Sequence, residues 1–348
     1  MVPARELGER KAAILDALIR HYIRTGEPVA SDAIAAAAGL GVSSATIRHE
    51  LASLEELGYL AQPHTSAGRV PTDLGYRYYV DMLPPHPRLR DAERRAIVHF
   101  FDEALADVDE ILRGTTHLLS NLTRYASLAI APSLRESTVV RSELIDLGAT
   151  TLMLLVFDTG GVEKRIIDLP EGAREGNVLE RVSRIMTEEL EGKSVSTGRS
   201  AAQTRAATLQ EPDRDVLLRV VDAMASLEEA AEAEHVFFGG AANIAIEGSF
   251  RRRETLRQIL EALERESEIL RLLREAALAP PVTVTIGREN PVTGIWEASM
   301  VAAPYGAGGR AVGTIGVVGP TRMDYATAIS AVRAVADRLS AAVEALGA

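Results

Sequence analysis

The stretch SSATIRHELASLEELG, Ser43 to Gly58, decides how the N-terminal part of this chain folds. Ile47, Leu51, Leu54 and Leu57 recur every three or four residues, so they line one side of a helix. Ser43, Ser44, Thr46, Arg48 and His49 gather at its N-terminal end, off that stripe. Hydroxyls and a free helix N-terminus can take up phosphates, and one long cationic side chain can reach base edges in a major groove. Arginine suits guanine best, because it donates to two acceptors at once. The same residues also fit a plain solvated helix face, with Arg48 or His49 paired to Glu55. The flanking elements must decide.

Upstream, Ile14, Leu15, Leu18, Ile19, Tyr22 and Ile23 repeat with the helical period over 6–24, and Gly26 and Pro28 close that helix. A short helix runs from its N-cap Ser31 through the alanines to Gly39. The tight link Gly39-Leu-Gly-Val-Ser43 leads into the quoted helix. Downstream, Tyr59-Leu-Ala-Gln62, the small-residue stretch His64-Thr-Ser-Ala-Gly-Arg-Val-Pro-Thr72 and a strand around Arg69-Val70 predict a hairpin. Pro71 cannot donate to a ladder, which keeps the return strand short and at an edge. Thr72 caps a further helix through Tyr79. Three helices, a tight second turn and a hairpin follow the order of a winged helix-turn-helix. That context favours a recognition role for the third helix. His64, Thr65, Ser66 and Arg69 then sit in the wing, where a lone arginine can lie along a phosphate backbone or enter a minor groove; a bare surface turn is the other reading. Tyr76, Tyr78 and Tyr79 keep helical spacing and are expected to pack against the wing rather than to stack on bases.

The 348-residue chain carries a formal net charge of −11 and no cysteine. Residues 1–80 hold eight basic and nine acidic side chains, a net of −1, so nearly all the negative charge lies beyond them. Binding to nucleic acid would therefore rest on a few placed arginines and not on a broad cationic surface. Without cysteine there are no disulfides, no thiolate catalysis and no sulfur-ligated zinc. The length predicts two or three domains. Arg10 and Lys11 precede any apolar run, so no signal peptide is expected. Runs such as Thr151-Leu-Met-Leu-Leu-Val-Phe157 are too short to span a bilayer. The expectation is a cytoplasmic protein with no membrane partner.

Pro84-Pro-His-Pro87 breaks the chain and marks a linker over 84–88. Beyond it the pattern predicts helix over 89–124, then strands between Ser127 and Asp168 with turns at 146–148 and 158–161. Helix is predicted over 173–191, then a polar, low-apolar stretch from Glu191 to Asp215, and helix again to about Glu234. Val236–Gly240, Val282–Ile286, Trp296–Ala303 and Arg310–Val318 read as strands; Phe250–Ala277 and 324–346 read as amphipathic helices. Strands on both sides of a helical stretch suggest one α/β domain, 89–170 and 236–348, interrupted by an insertion over 171–235, after an N-terminal domain over 1–83.

Gly313-Thr-Ile-Gly-Val-Val-Gly319 has only loosely the glycine spacing of a dinucleotide site, lies within a strand and is followed by Pro320, so it is rejected as one. Gly306-Ala-Gly-Gly309 lacks the Lys-Ser/Thr of a phosphate-binding loop. The seven histidines are scattered, and no Gly-x-Ser-x-Gly elbow occurs. No catalytic, cofactor-binding or metal-ligating residues are expected, and no enzyme.

Four stretches resemble one family. Val42–Leu51 with Leu54–Leu60 is similar to its recognition helix, and His64–Asp81 to its wing and following helix. Phe238-Gly-Gly-Ala-Ala-Asn243 and Gly316-Val-Val-Gly-Pro-Thr-Arg-Met-Asp-Tyr325 are similar to its later signatures. The family is the heat-inducible transcription repressor HrcA. The resemblance implies a multidomain α+β chain: an N-terminal winged helix-turn-helix, then a GAF-like α/β domain interrupted by an inserted helical dimerisation segment. It further implies a homodimer on an inverted-repeat operator of double-stranded DNA, repression of chaperone operons, and a chaperonin that keeps the repressor active. A repressor controlled by a small effector bound in the GAF-like domain is the alternative.

Overall fold

The structure is a computed structural model. It describes residues 7–38, 43–64, 68–84, 89–103, 107–133, 137–148, 150–169, 177–230, 236–244, 261, 273, 281–307 and 309–347. The link 39–42, the linker 85–88 and most of 250–277, each assigned above from the sequence, lie outside the described residues.

The N-terminal unit packs α1 (Glu9–Thr25), α2 (Ser31–Ala38) and α3 (Ser44–Glu56) around Ile14, Leu15, Leu18, Ile19, Ile34, Ile47, Leu51 and Leu54, all buried. These are the positions the apolar periodicity selects, and each is worth about 1.5–3 kcal/mol when fully buried. A minimal antiparallel hairpin, β1 (Leu60–Ala61) and β2 (Val70–Pro71), pairs Leu60 with Pro71 and Ala61 with Val70. One residue earlier, Arg69 exchanges both backbone hydrogen bonds with Val29, which pins the hairpin to the segment between α1 and α2. Helix α4 (Asp73–Asp81) starts at Thr72, whose hydroxyl accepts from the Gly75 N–H at 3.2 Å. Tyr76 and Tyr79 are buried, Tyr78 half-buried with its ring edge on Tyr59. The tyrosines pack, although Tyr76 and Tyr79 pack away from the hairpin: Tyr79 lies under the Arg20 guanidinium of α1, and Tyr76 reaches Tyr325.

The remainder follows in the order α5 (Asp91–Glu103), α6 (Val108–Thr123), β3 (Ala126–Ile130), β4 (Val139–Asp146), β5 (Thr151–Phe157), β6 (Val162–Ile167), α7 (Val178–Leu190), α8 (Val195–Ala206), α9 (Asp213–Ala230), β7 (Val236–Gly239), α10 (Ala241–Ile244), β8 (Thr283–Ile286), β9 (Ala298–Ala307), β10 (Arg310–Pro320) and α11 (Tyr325–Gly347). Five strands form an antiparallel sheet in the order β7-β3-β10-β9-β8. Helices α6 and α11 pack on this sheet, α11 through Ala328, Ala331, Val332 and Val335, whose small side chains let it lie close. The apolar core of the N-terminal unit continues without a break into this body through Tyr76, Tyr325 and the buried side of α11.

One expectation changes. The sequence pattern places the strands between 139 and 167 with the α/β body, but β4, β5 and β6 form a separate three-stranded sheet. Their buried side chains Met153, Leu155 and Phe157 share a second core with Val182, Met186, Leu190, Val220 and Met224 of α7 and α9. The interruption of the body thus begins at β4 and not at residue 171. The stretch from Glu191 to Asp215 also contains an element, α8. It buries Val195, Gly198, Ala202 and Ala206, a stripe of helical period made of residues too small to register as apolar.

Gly75 lies where α4 presses on the backbone beneath the hairpin, and a side chain there would collide with the Tyr59 carbonyl oxygen. Gly75→Ala is therefore expected to destabilise the chain by about 1–3 kcal/mol, the usual cost of forcing a methyl into a packed contact. Urea unfolding followed by circular dichroism measures it.

Candidate nucleic-acid interface

Helix α3 enters its first turn from Ser43, which has extended backbone angles (φ −67°, ψ 152°). The Ser43 Oγ accepts from the Thr46 N–H at 3.2 Å and contacts Thr46 Oγ1 at 3.0 Å. Ser44 is engaged differently: its Oγ donates to the Asp32 carboxylate and so ties the start of α3 to α2. On the side facing α1, Lys11 Nζ lies 2.8 Å from the Glu50 carboxylate and Arg10 Nη1 3.8 Å from it. The Lys11 hydrogen bond, with help from the charges of Lys11 and Arg10 and against the cost of burial, holds the Glu50 carboxyl below the usual carboxylate range. Glu50 thus stays charged and braces α3 against α1 at neutral pH.

Arg48 and His49 are exposed on the same helix whose Ile47, Leu51 and Leu54 are buried. The structure brings them together with Ser43 and Thr46 at the N-terminal end of α3, where unpaired backbone N–H groups and the helix dipole favour an anion. His64, beyond β1, is also exposed. Thr65 and Ser66 lie outside the described residues.

Arg69 stands apart from the other candidates. Its Nε donates to Glu55 Oε2 at 2.9 Å, its side chain is only 17% exposed and that of Glu55 34%. Together with its two backbone bonds to Val29, this makes Arg69 a brace between the hairpin, α3 and the α1–α2 connection. Glu55 is therefore the partner of Arg69, and not of Arg48 or His49 as the solvated-face reading has it. The pairs Ser44–Asp32 and Arg69–Glu55 span 12 and 14 residues, and no local pattern announces them.

The family model described as the HrcA protein C terminal domain matches residues 109–329. A heat-inducible transcription repressor HrcA from Thermobifida fusca is 46% identical over 334 residues, 95% of each chain. The protein of the same name from Moorella thermoacetica is 37% identical over 342 residues, 98% of this chain and 99% of its own. A crystal structure of a hypothetical protein at 2.2 Å resolution superposes with a TM-score of 0.71 at 25% identity, covering 98% of this chain and all of the other.

Arg69→Ala and Glu55→Ala are each expected to cost about 0.5–1 kcal/mol of stability, discounted because the pair is partly open to water. The double variant should cost less than the sum of the two. Denaturant titration of all four proteins measures the coupling, and additive losses would remove Arg69 from its bracing role.

Proposed function

The chain belongs to the heat-inducible transcription repressor family HrcA, and we propose that it represses chaperone operons by setting the N-terminal end of α3 into the major groove of an inverted-repeat operator. It is a DNA-binding repressor of heat-shock genes, not an enzyme. In this reading residues 1–83 act as a winged helix-turn-helix. The observation that carries it is the division of α3 between a buried stripe and an exposed N-terminal end holding Arg48, His49, Ser43 and Thr46. Arg48 reads base edges, the hydroxyls and N–H groups take phosphates, and His64 with the hairpin follows the backbone. Arg69 serves by holding the hairpin in place, and Ser44 by fixing the start of α3.

The five-stranded antiparallel sheet with α6 and α11 packed on it supports a GAF-like body. The unit from β4 to α9 supplies the dimer contact. Its sheet is covered on one side by α7–α9, while the other side leaves Ile145, Val162 and Ile166 exposed, the last by 68%. The register aligns Ile145, Leu152 and Ile166 in one row and Val156 beside Val162 in another. On the same side Leu154 lies between Glu143 and Lys164, and Arg141 stands beside Val156, so the face mixes apolar and charged side chains in the way that an interface with a second copy of the chain does. A two-fold dimer then matches the symmetry of an inverted repeat and doubles a contact set that is small in each unit. A chaperonin keeps the repressor active in the cytoplasm, as the family resemblance implies.

Gel-shift titration on operator and scrambled DNA tests the DNA contacts. Arg48→Ala should lose about 1–3 kcal/mol of operator affinity together with its discrimination against scrambled DNA. An Arg48→Ala protein that binds both DNAs like the parent would refute the assignment. Sedimentation velocity tests the face: Ile166→Asp is expected to run as a monomer and to lose operator affinity along with the dimer.

A further inference from the structure

Adjacent residues of α4 leave the N-terminal unit and grip the body. Tyr76 buries its ring against Tyr325, whose hydroxyl is held by Ser299 and by the Thr321 carbonyl. Next to it, Arg77 spreads its guanidinium over the turn that follows β8. Its Nε donates to Glu289 Oε1 at 2.8 Å and its Nη2 to Glu289 Oε2, a two-point pairing. Nη2 also donates to the Val284 carbonyl of β8 at 2.6 Å, and Nη1 to Asp81 at 3.4 Å.

The receiving side is built before Arg77 arrives. The Glu289 carboxylate accepts the Ile286 N–H at 2.9 Å, so its plane is set by its own turn. One turn earlier on α4, Asp73 Oδ2 accepts the Arg288 N–H at 3.0 Å. Gly287, at φ +52°, makes this approach possible, since any side chain there would run into the Asp73 carboxylate. Burial is the main influence raising the Asp73 carboxyl above its ordinary range, with the Arg288 N–H opposing it.

An apolar seam alone tolerates sliding and rotation. A planar fork closed on a fixed carboxylate, with a second carboxylate on a backbone N–H, does not. Arg77 and Glu289 keep 20% and 29% of their side chains exposed. Their pairing is thus accessible enough to form and break, so its role is better described as geometric than as a large term in stability. The grip engages α4 and leaves the N-terminal end of α3 with its exposed Arg48 and His49 open.

We infer that Arg77 and Glu289 are positioning residues for DNA recognition: they hold the DNA-reading unit on the body in one orientation, so that the two α3 helices of a dimer stand at one fixed separation. The inference rests on the reading of the chain as a dimeric operator binder. A fixed separation makes affinity depend on half-site spacing, whereas units free to swing accept a range of spacings at lower effective concentration.

The test uses the full chain, as wild type, Arg77→Lys and Glu289→Gln. Each is titrated against inverted repeats whose spacer grows one base pair at a time over about one helical turn, roughly ten base pairs, and against a single half-site. Thermal melts establish that each variant is folded. Wild type should lose at least about tenfold in affinity away from its preferred spacing. Arg77→Lys keeps the charge and loses the fork, and Glu289→Gln keeps the shape and loses the charge. Both should bind the half-site like wild type while their spacing dependence flattens to within about threefold. The inference is overturned if wild type shows no spacing preference, or if the single variants keep it in full. It is equally overturned if they lose half-site and operator affinity by the same factor, which marks damage to the reading unit itself. A wild type that binds no inverted repeat at all removes the repressor reading and this inference with it.

Discussion

One nine-residue helix, α4, has to satisfy four neighbours at once, and the arrangement of the whole chain depends on it. Its first turn presses on the Tyr59 carbonyl, which only Gly75 allows. Its Tyr79 faces α1, its Tyr76 faces α11, and its Arg77 faces the turn after β8. Because Tyr76 and Tyr79 are both buried, the apolar core does not end with the N-terminal unit but passes through α4 into the body. A unit joined by a linker alone would be free to reorient, as most domain pairs with small polar interfaces are. Here α4 carries the orientation.

How much of this could be read from sequence follows from the size and range of the signals. Helices α1, α3 and α4 were legible because large apolar side chains repeat with their period, and each of the repeating residues in α1 from Ile14 to Tyr22 is buried. Helix α8 was not, since glycine and alanine carry its buried stripe; Gly198 packs within about van der Waals distance of Leu190 because it has no side chain. Strand signals located β4, β5 and β6 but said nothing about which sheet they join, and their alternation fits an insertion as well as a body. At the site, exposure of Arg48 and His49 followed from the helical wheel. The fate of Arg69 and Ser44 depended on partners 14 and 12 residues away, and that of Arg77 on one 212 residues away. Periodicity reaches one turn or one strand, so such pairs are invisible to it.

The charge of the N-terminal unit is spent mostly inward. Among its described basic residues, Arg10 and Lys11 lie on Glu50, Arg20 on Asp16 and Tyr79, Arg69 on Glu55 and Arg77 on Glu289. What remains for an anion outside is Arg48, with the helix N-terminus beside it, and the exposed Arg24, which lies 3.4 Å from the His21 ring. Such a unit has little capacity for the salt-dependent, sequence-blind binding that a basic surface provides. The acidic remainder of the chain adds repulsion on top of that. In the proposed dimer, discrimination therefore comes from geometry: a few correct contacts, made twice, at the right distance.

That distance is set by the five-stranded sheet. The excursion that carries the open face of β4–β6 leaves after β3 and returns as β7, at one edge of the sheet. The N-terminal unit grips β8 and its following turn, at the opposite edge. Four strand spacings of roughly 4.8 Å separate the two attachments, about 19 Å of hydrogen-bonded sheet. The long pair β9 and β10, in register from Ala298–Pro320 to Ala307–Arg310 apart from one irregularity near Ala311, forms its middle. A sheet backed by α11 resists in-plane shear, because sliding one strand past the next breaks every ladder bond between them. In the proposed dimer, a contact made on the β4–β6 face is thereby related rigidly to the position of α3, up to the α4 seam, where Tyr76 meets Tyr325, Asp73 accepts the Arg288 N–H and Arg77 pairs with Glu289. Of these, the pairing of Arg77 with Glu289 is the one that can be altered without touching either α3 or that face.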